Sequence, residues 1–150
     1  MSTFSMSRAE TVNASVGTVH DLLNDIRHWR DWSPWEDVDP DLERTYSGPE
    51  VGTGAHYAWS GNNKAGTGTM EIVESTPDRI VIALEFLKPF KASNKTSFQL
   101  TPSGSGTKVT WTMTGQRNAL MGVMGKFYFD KAIGKDFDRG LAQLKARAER

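Results

Sequence analysis

The segment Asn118–Arg150 reads NALMGVMGKFYFDKAIGKDFDRGLAQLKARAER. Phe129, Ile133, Phe137, Leu141, Leu144 and Ala148 recur in it at spacings of three and four, which predicts one long helix with a continuous apolar stripe. Lys131, Lys135, Asp138, Arg139, Lys145 and Arg147 fall on the other side, a solvated face with opposite charges in reach of one another. Such a stripe needs a partner surface. Gly122, Gly125, Gly134 and Gly140 interrupt the pattern, each at a cost of about 1 kcal/mol relative to alanine. At Gly134 and Gly140 the offsetting gain reads as close approach of the helix to a sheet or a bulky side chain. Gly122 and Gly125 read equally well as a kinked opening turn.

The rest of the chain must supply that partner. At 150 residues it is sized for a single domain spanning residues 1–150, with residues 1–4 expected to fray. Lysine plus arginine balance aspartate plus glutamate at 18 each, so no overall field attracts nucleic acid or an anionic membrane. The absence of cysteine excludes disulfides, thiolate nucleophiles and Cys-ligated metals, and suits a reducing compartment. MSTFSMSRAE lacks the apolar core of a signal peptide, and no run approaches the roughly 20 apolar residues of a membrane span. The expectation is a soluble cytoplasmic protein.

From the N-terminus, Phe4 to Asn13 is weakly strand-like. Ser15 can cap a helix whose Val16, Val19, Leu23 and Ile26 form a stripe, with His20 beside it and exposed. Asp25 can cap a second short turn leading into Trp29, Trp32 and Trp35, and Pro34 forces Ser33 out of the helical region. From Leu42 the period changes to two. Strands are predicted at Leu42–Tyr46, Ala55–Trp59, Thr67–Ser75, Arg79–Leu87, Ala92–Thr101 and Thr107–Gly115, joined by tight turns at Gly61–Lys64, Thr76–Asp78 and Pro102–Gly106. Connections this short make antiparallel hairpins.

Alternation then assigns faces. Asn94, Thr96, Phe98 and Leu100 share one face with Val109, Trp111 and Met113, while Ser93, Lys95, Ser97 and Gln99 are solvated. Met70, Ile72, Ile80, Ile82, Leu84 and Phe86 continue the apolar face. A sheet with one dry face must cover it, and the helices are the only cover available. The fold class is therefore α+β: a curved antiparallel sheet gripping its C-terminal helix, with two short helices after the first strand.

Several local features also resemble a known family. They are Trp29-Arg30-Asp31-Trp32-Ser33-Pro34-Trp35, Gly52-Thr53-Gly54, Trp59-Ser60-Gly61-Asn62, Gly66-Thr67-Gly68, Phe86-Leu87-Lys88-Pro89-Phe90, Gly106 to Trp111 and Gly134 to Lys145. In this order, from about Ser7 to Glu149, the chain resembles the START-like (SRPBCC) superfamily of helix-grip proteins, in its polyketide cyclase/dehydrase and lipid-transport branch. The resemblance implies a seven-stranded sheet around the last helix with a cavity between them. It implies chemistry far less, since members bind lipids, sterols, quinones and hormones, cyclise polyketides or activate a chaperone.

No catalytic constellation stands out. His20, His28 and His56 lack the spacing of a metal pair, and His56 is placed on the outer face by an inward Tyr57. Asp37, Asp39, Asp41 and Glu43 lack the glycine and glutamate of a calcium loop. The glycine pairs at Gly52 and Gly66 read as bends in a curved sheet and not as phosphate cradles. Neither a metal nor a cofactor is called for. What is unusual is the interior: Trp32, Trp35, Tyr57, Trp59, Met70, Phe86, Phe98, Trp111 and Met113 converge with Phe127 and Phe137 of the helix. Asn94 and Thr96 are the polar groups on that face. Each is either a ligand contact or bonded to its neighbours, and most of the aromatics serve equally well as packing. The expected function is binding of an apolar, aromatic or lipid-like molecule between sheet and helix. An enzyme of cyclase or dehydratase type would draw on Asn94, Tyr57, Glu85 and Arg117. An interaction module would use Leu120 to Met124 as an apolar patch, and monomer and homodimer both stay open.

Overall fold

The computed structural model describes residues 3–33, 41–61, 66–88, 92–116 and 126–149. In chain order these form β1 (Thr3–Val12), α1 (Val16–Asn24), a 3-10 helix (Ile26–Asp31), β2 (Glu43–Ser47), β3 (His56–Ser60), β4 (Thr67–Thr76), β5 (Arg79–Lys88), β6 (Ala92–Ser103), β7 (Gly106–Gln116) and α2 (Lys126–Ala148). The strands make one antiparallel sheet in the order β1-β7-β6-β5-β4-β3-β2. This is the helix-grip α+β architecture. β1 begins at Thr3, opposite Gln116, so Thr3 and Phe4 belong to the ladder and not to a frayed end. No helix among the described residues is long and apolar enough to cross a membrane.

Local chemistry accounts for the element boundaries. Ser15 caps α1 by accepting from Thr18 N at 3.2 Å, satisfying one of the free donors of the first turn. Asp25 stops α1 with an extended backbone and caps the 3-10 helix, its carboxylate accepting from Arg27 N at 3.0 Å. That carboxylate also takes two bonds from the Arg27 guanidinium, at 3.0 and 2.8 Å. Gly52, Gly54 and Gly66 take positive φ at the ends of the hairpins, as bends in the chain require.

The registers lay the concave face out in rows that run across the sheet. The first row holds Arg44, Trp59, Gly68 and Phe86, and the second holds Tyr46, Tyr57, Met70, Leu84 and Asn94. Deeper rows join Ile72, Ile82, Thr96, Met113 and Met6, then Ile80, Phe98, Trp111 and Arg8, then Leu100, Val109 and Glu10. The β3–β4, β5–β6 and β7–α2 connections all leave from the first-row end, here called the mouth. α1 and the 3-10 helix cover the opposite end, where Val19, Leu22, Leu23, Ile26 and Trp29 are buried.

α2 runs from the mouth to that closed end, and Phe137, Leu141, Leu144 and Ala148 enter the core. Polar contacts fix its last turns: Lys145 Nζ donates to Thr11 O at 3.2 Å, Asn13 N donates to the Glu149 carboxylate at 2.8 Å, and Arg147 meets Asp31 at 3.3 Å. Higher up, Arg8 from β1 lies over Gly134, where an added Cβ would stand 2.6 Å from its guanidinium, and pairs with Asp138 at 3.6 Å. The bulky side chain over Gly134 is therefore an arginine. Gly140 is buried between Phe137 and Leu144 on the same face.

Two stability predictions follow from this seating. On a solvent face Gly140→Ala should stabilise by roughly 0.5 to 1 kcal/mol, but at this buried position the gain should vanish or reverse. Gly140→Leu should cost about 1 to 3 kcal/mol through overpacking. Chemical denaturation of both variants decides this, and a leucine variant more stable than wild type would remove Gly140 from the interface. At Asp25, the bond to Arg27 holds the carboxyl below its usual range. A group depressed in the folded state contributes stability that is present above the unfolded value and lost as pH falls through the folded one. Denaturation midpoints should therefore drop on acidification below the normal carboxylate range, and Asp25→Asn should flatten that drop. Parallel losses in both proteins would show that the pair is not its source.

Candidate functional site

The interior contains two environments, and the sequence-predicted residues divide between them. In the closed half the aromatics enclose one another. Trp111 stacks on Phe137 with ring centroids 4.1 Å apart and planes 6° apart, and on Phe98 at 4.9 Å. Trp32 meets Phe98 edge-on at 5.9 Å and Trp111 at 5.6 Å, and Trp29 lies 4.8 Å from Trp32. Phe98, Trp111 and Phe137 are all 0% exposed, so these rings are packed core.

Polar atoms in this half find partners. Trp111 Nε1 donates to Thr96 Oγ1 at 2.7 Å, and that hydroxyl donates onward to Thr112 O at 3.2 Å. Trp29 Nε1 donates to Leu23 O at 3.0 Å and Trp32 Nε1 to Leu22 O at 3.4 Å. Thr96, read from sequence as a possible ligand contact, has its hydroxyl committed to Trp111. Met113 pairs opposite it and is buried.

Toward the mouth the rings are only partly covered. Tyr46, Tyr57, Trp59 and Phe86 form a continuous shelf, with neighbouring centroids 5.2, 6.0 and 5.8 Å apart. Trp59 and Phe86 are half-buried on the concave face, beside buried Met70 and Tyr57. The indole of Trp59 lies flat across β4 because residue 68 is glycine: an added Cβ would stand 2.5 Å from its ring. A register shift between Thr67 and Gly68 accompanies this crossing.

Asn94 lies in the second row, opposite Leu84 and Gly115. It is 8% exposed, yet among the described residues its amide makes no side-chain hydrogen bond. The donor and acceptor of this amide are left unspent by the described residues, unlike the indoles and hydroxyl of the interior around it. Thr96 and Asn94 looked alike in sequence. The difference is that Trp111 reaches the former and nothing described reaches the latter.

The remaining candidates lie elsewhere. Glu85 is exposed on the convex face. His56 is half-buried at the closed end, its Nδ1 3.3 Å from Ser47 Oγ. His20, expected to be exposed, is partly buried with its Nε2 enclosed and unpartnered among the described residues. Trp35, Arg117 and Leu120 to Met124 lie outside the described residues, as does the side chain of Phe127. The interaction-module reading rests on that undescribed patch. An open cleft of about 220 Å³ lies at the closed end, sharing Tyr46 with the shelf and lined also by Asp25, Arg27, Glu50 and His56 among others. Its charges largely answer one another, since Arg27 bridges Asp25 and Glu50. No three potential ligands gather into a metal set among the described residues.

One consequence is measurable in the packed half. Thr96→Val keeps the shape but leaves the Trp111 N–H unpaired, and should cost about 1 to 3 kcal/mol in chemical denaturation. Thr96→Ser keeps the hydroxyl and should lose less. Equal stabilities of the two variants would show that the hydroxyl contributes nothing.

Residues 3–149 match the family model described as polyketide cyclase/dehydrase and lipid transport. No curated protein matches the chain in sequence. Solved structures share the fold at low identity. An uncharacterized protein from Rhizobium leguminosarum superposes with a TM-score of 0.74 at 15% identity, over 99% of this chain and 96% of its own. The Aha1 dimer from Colwellia psychrerythraea gives 0.67 at 15%, over 97% and 96%. StfQ, a di-domain ARO/CYC of the steffimycin biosynthetic pathway, gives 0.72 at 16%, covering 98% of this chain and 51% of StfQ.

Proposed function

Since the chain belongs to the polyketide cyclase/dehydrase and lipid transport family, we propose that its groove binds an apolar small molecule, aromatic or lipid-like. The site lies at the mouth, between the first two rows of the sheet and the opening turns of α2. The observation that carries this reading is the unpartnered Asn94 amide set behind a shelf of partly covered rings. Small-molecule sites combine an apolar, aromatic lining with a few polar groups that fix orientation. Trp59 and Phe86 supply the lining, Asn94 supplies a polar group, and the enclosed rings around Trp111 form a rigid floor. A cytoplasmic setting suits the cysteine-free chain.

A cyclase-like reaction in the same groove is the second reading, favoured by the family and by the likeness to the ARO/CYC protein StfQ. Binding takes precedence because, among the described residues, the first two rows hold no carboxylate or histidine to move a proton. Arg44, on the edge strand, is their one permanently charged group. Catalysis by holding a reactive chain in one conformation needs no such group.

The test is a thermal-shift panel of flavonoids, fatty acids, quinones and sterols with the intact protein. A ligand at 100-fold over its dissociation constant stabilises by roughly 2.7 kcal/mol, a readily measured melting shift. Trp59→Ala gives up the ring's packing on Tyr57 and Phe86 and should lower the denaturation midpoint, but in the protein that still folds it should weaken any such ligand. If no compound shifts the melting point, or if every hit is indifferent to Trp59, the groove is not a binding site.

A further inference from the structure

Resting on the binding reading above, we infer that the ligand enters polar end first, and that the group it presents to Asn94 is an uncharged hydroxyl or amide. The order of the rows carries the first half. Trp59 and Phe86 lie in the row nearest the mouth, and Asn94 lies one row deeper, next to Leu84. A molecule whose polar group reaches Asn94 must leave its apolar body between the rings nearer solvent. This is the reverse of an amphiphile that keeps its head in water.

The chemistry of Asn94 carries the second half. A carboxamide offers both a donor and an acceptor, and a hydroxyl or amide on the ligand answers both at once. An ionised carboxylate or ammonium would give up its hydration for one amide beside Leu84 and Gly115, and burying a charge without a charged partner is far more costly than burying a neutral group. Among the described residues the cation sharing this part of the face is Arg44 on β2. It stands four strands from Asn94, about 19 Å at the usual strand spacing, beyond reach of the same ligand group. Arg8 lies two rows deeper and is engaged with Asp138. The half-buried Trp59 also presents an electron-rich ring, whose face repels an anion.

Three probes of nearly equal shape separate these possibilities at neutral pH: 2-naphthol, 2-naphthoate and 2-methylnaphthalene, with 2-naphthylmethylamine as the cationic arm. Titration of the intact protein, followed by tryptophan fluorescence and by the Asn94 side-chain amide resonances, should show 2-naphthol binding about tenfold or more tighter than the other three. The Asn94 resonances should move only with 2-naphthol. In Asn94→Leu the preference should disappear, with 2-methylnaphthalene gaining, and Asn94→Ala gives the same comparison if the leucine variant does not fold. Equal or tighter binding of naphthoate or of the amine overturns the uncharged group. A naphthol preference that survives both substitutions, or unmoved Asn94 resonances, overturns the orientation. Binding of none of the four defeats the binding reading itself, and this inference with it.

Discussion

The indole of Trp111 is the point at which sheet and helix become one core. One face stacks on Phe137 of α2, its neighbour on β6 is Phe98, and its N–H is held by a threonine hydroxyl that is itself anchored to the backbone of β7. A tryptophan in so dry a setting must satisfy its donor, and with only one donor it needs only one acceptor. Once that bond fixes the ring plane, the height of the helix above the sheet is fixed too. Arg8 over Gly134 and the clamps at Lys145, Arg147 and Glu149 then set rotation and pitch. These are exposed pairs of small individual worth. They orient a helix that Trp111 and Phe137 already hold.

Because that contact lies in the closed half, the covering of the concave face is graded along its length. Rings are fully enclosed around Trp111, half-covered around Trp59, and between the two lies a single amide without a partner. The enclosed rings that hold the fold are thus set apart from the less covered residues proposed above to meet a ligand. Changes at Trp59 or Asn94 touch none of the rings stacked on Trp111.

Much of this was legible in the sequence. The Ser15 cap, the Asp25 cap, the alternation from Asn94 to Leu100 and the stripe from Phe137 to Ala148 each rest on a short-range rule, and the structure obeys them. Strand ends moved by a residue or two because a ladder ends where its partner does, which a single strand does not encode. The site was harder to read. Asn94 and Thr96 are equivalent in pattern, and their different fates depend on which tryptophan reaches which hydroxyl across the sheet. Arg8 is another case: the weak strand pattern assigns it no face, and pairing with β7 turns it toward the helix, where Asp138 and the missing Cβ of Gly134 accommodate it. Long-range pairing decides such positions, and composition carries no trace of it.

The sheet order also governs how the chain can reach this state. β1 bonds to β7 alone, in a ladder running from Thr3 opposite Gln116 to Val12 opposite Thr107. The first strand synthesised must therefore wait for the last. The hairpins from β2 to β7 close locally and quickly, but closing β1 against β7 spends the entropy of nearly the whole intervening chain, and pairings of that kind slow folding. During synthesis β1 leaves the ribosome with its backbone donors and acceptors open and its natural partner unmade, and an unpaired strand of this kind is prone to pair with other chains. Arg8 and Glu10, spaced two apart, keep the inward face of that waiting strand from being wholly apolar. The Arg8 charge that later pairs with Asp138 of the helix thus also disfavours mispairing of the waiting strand.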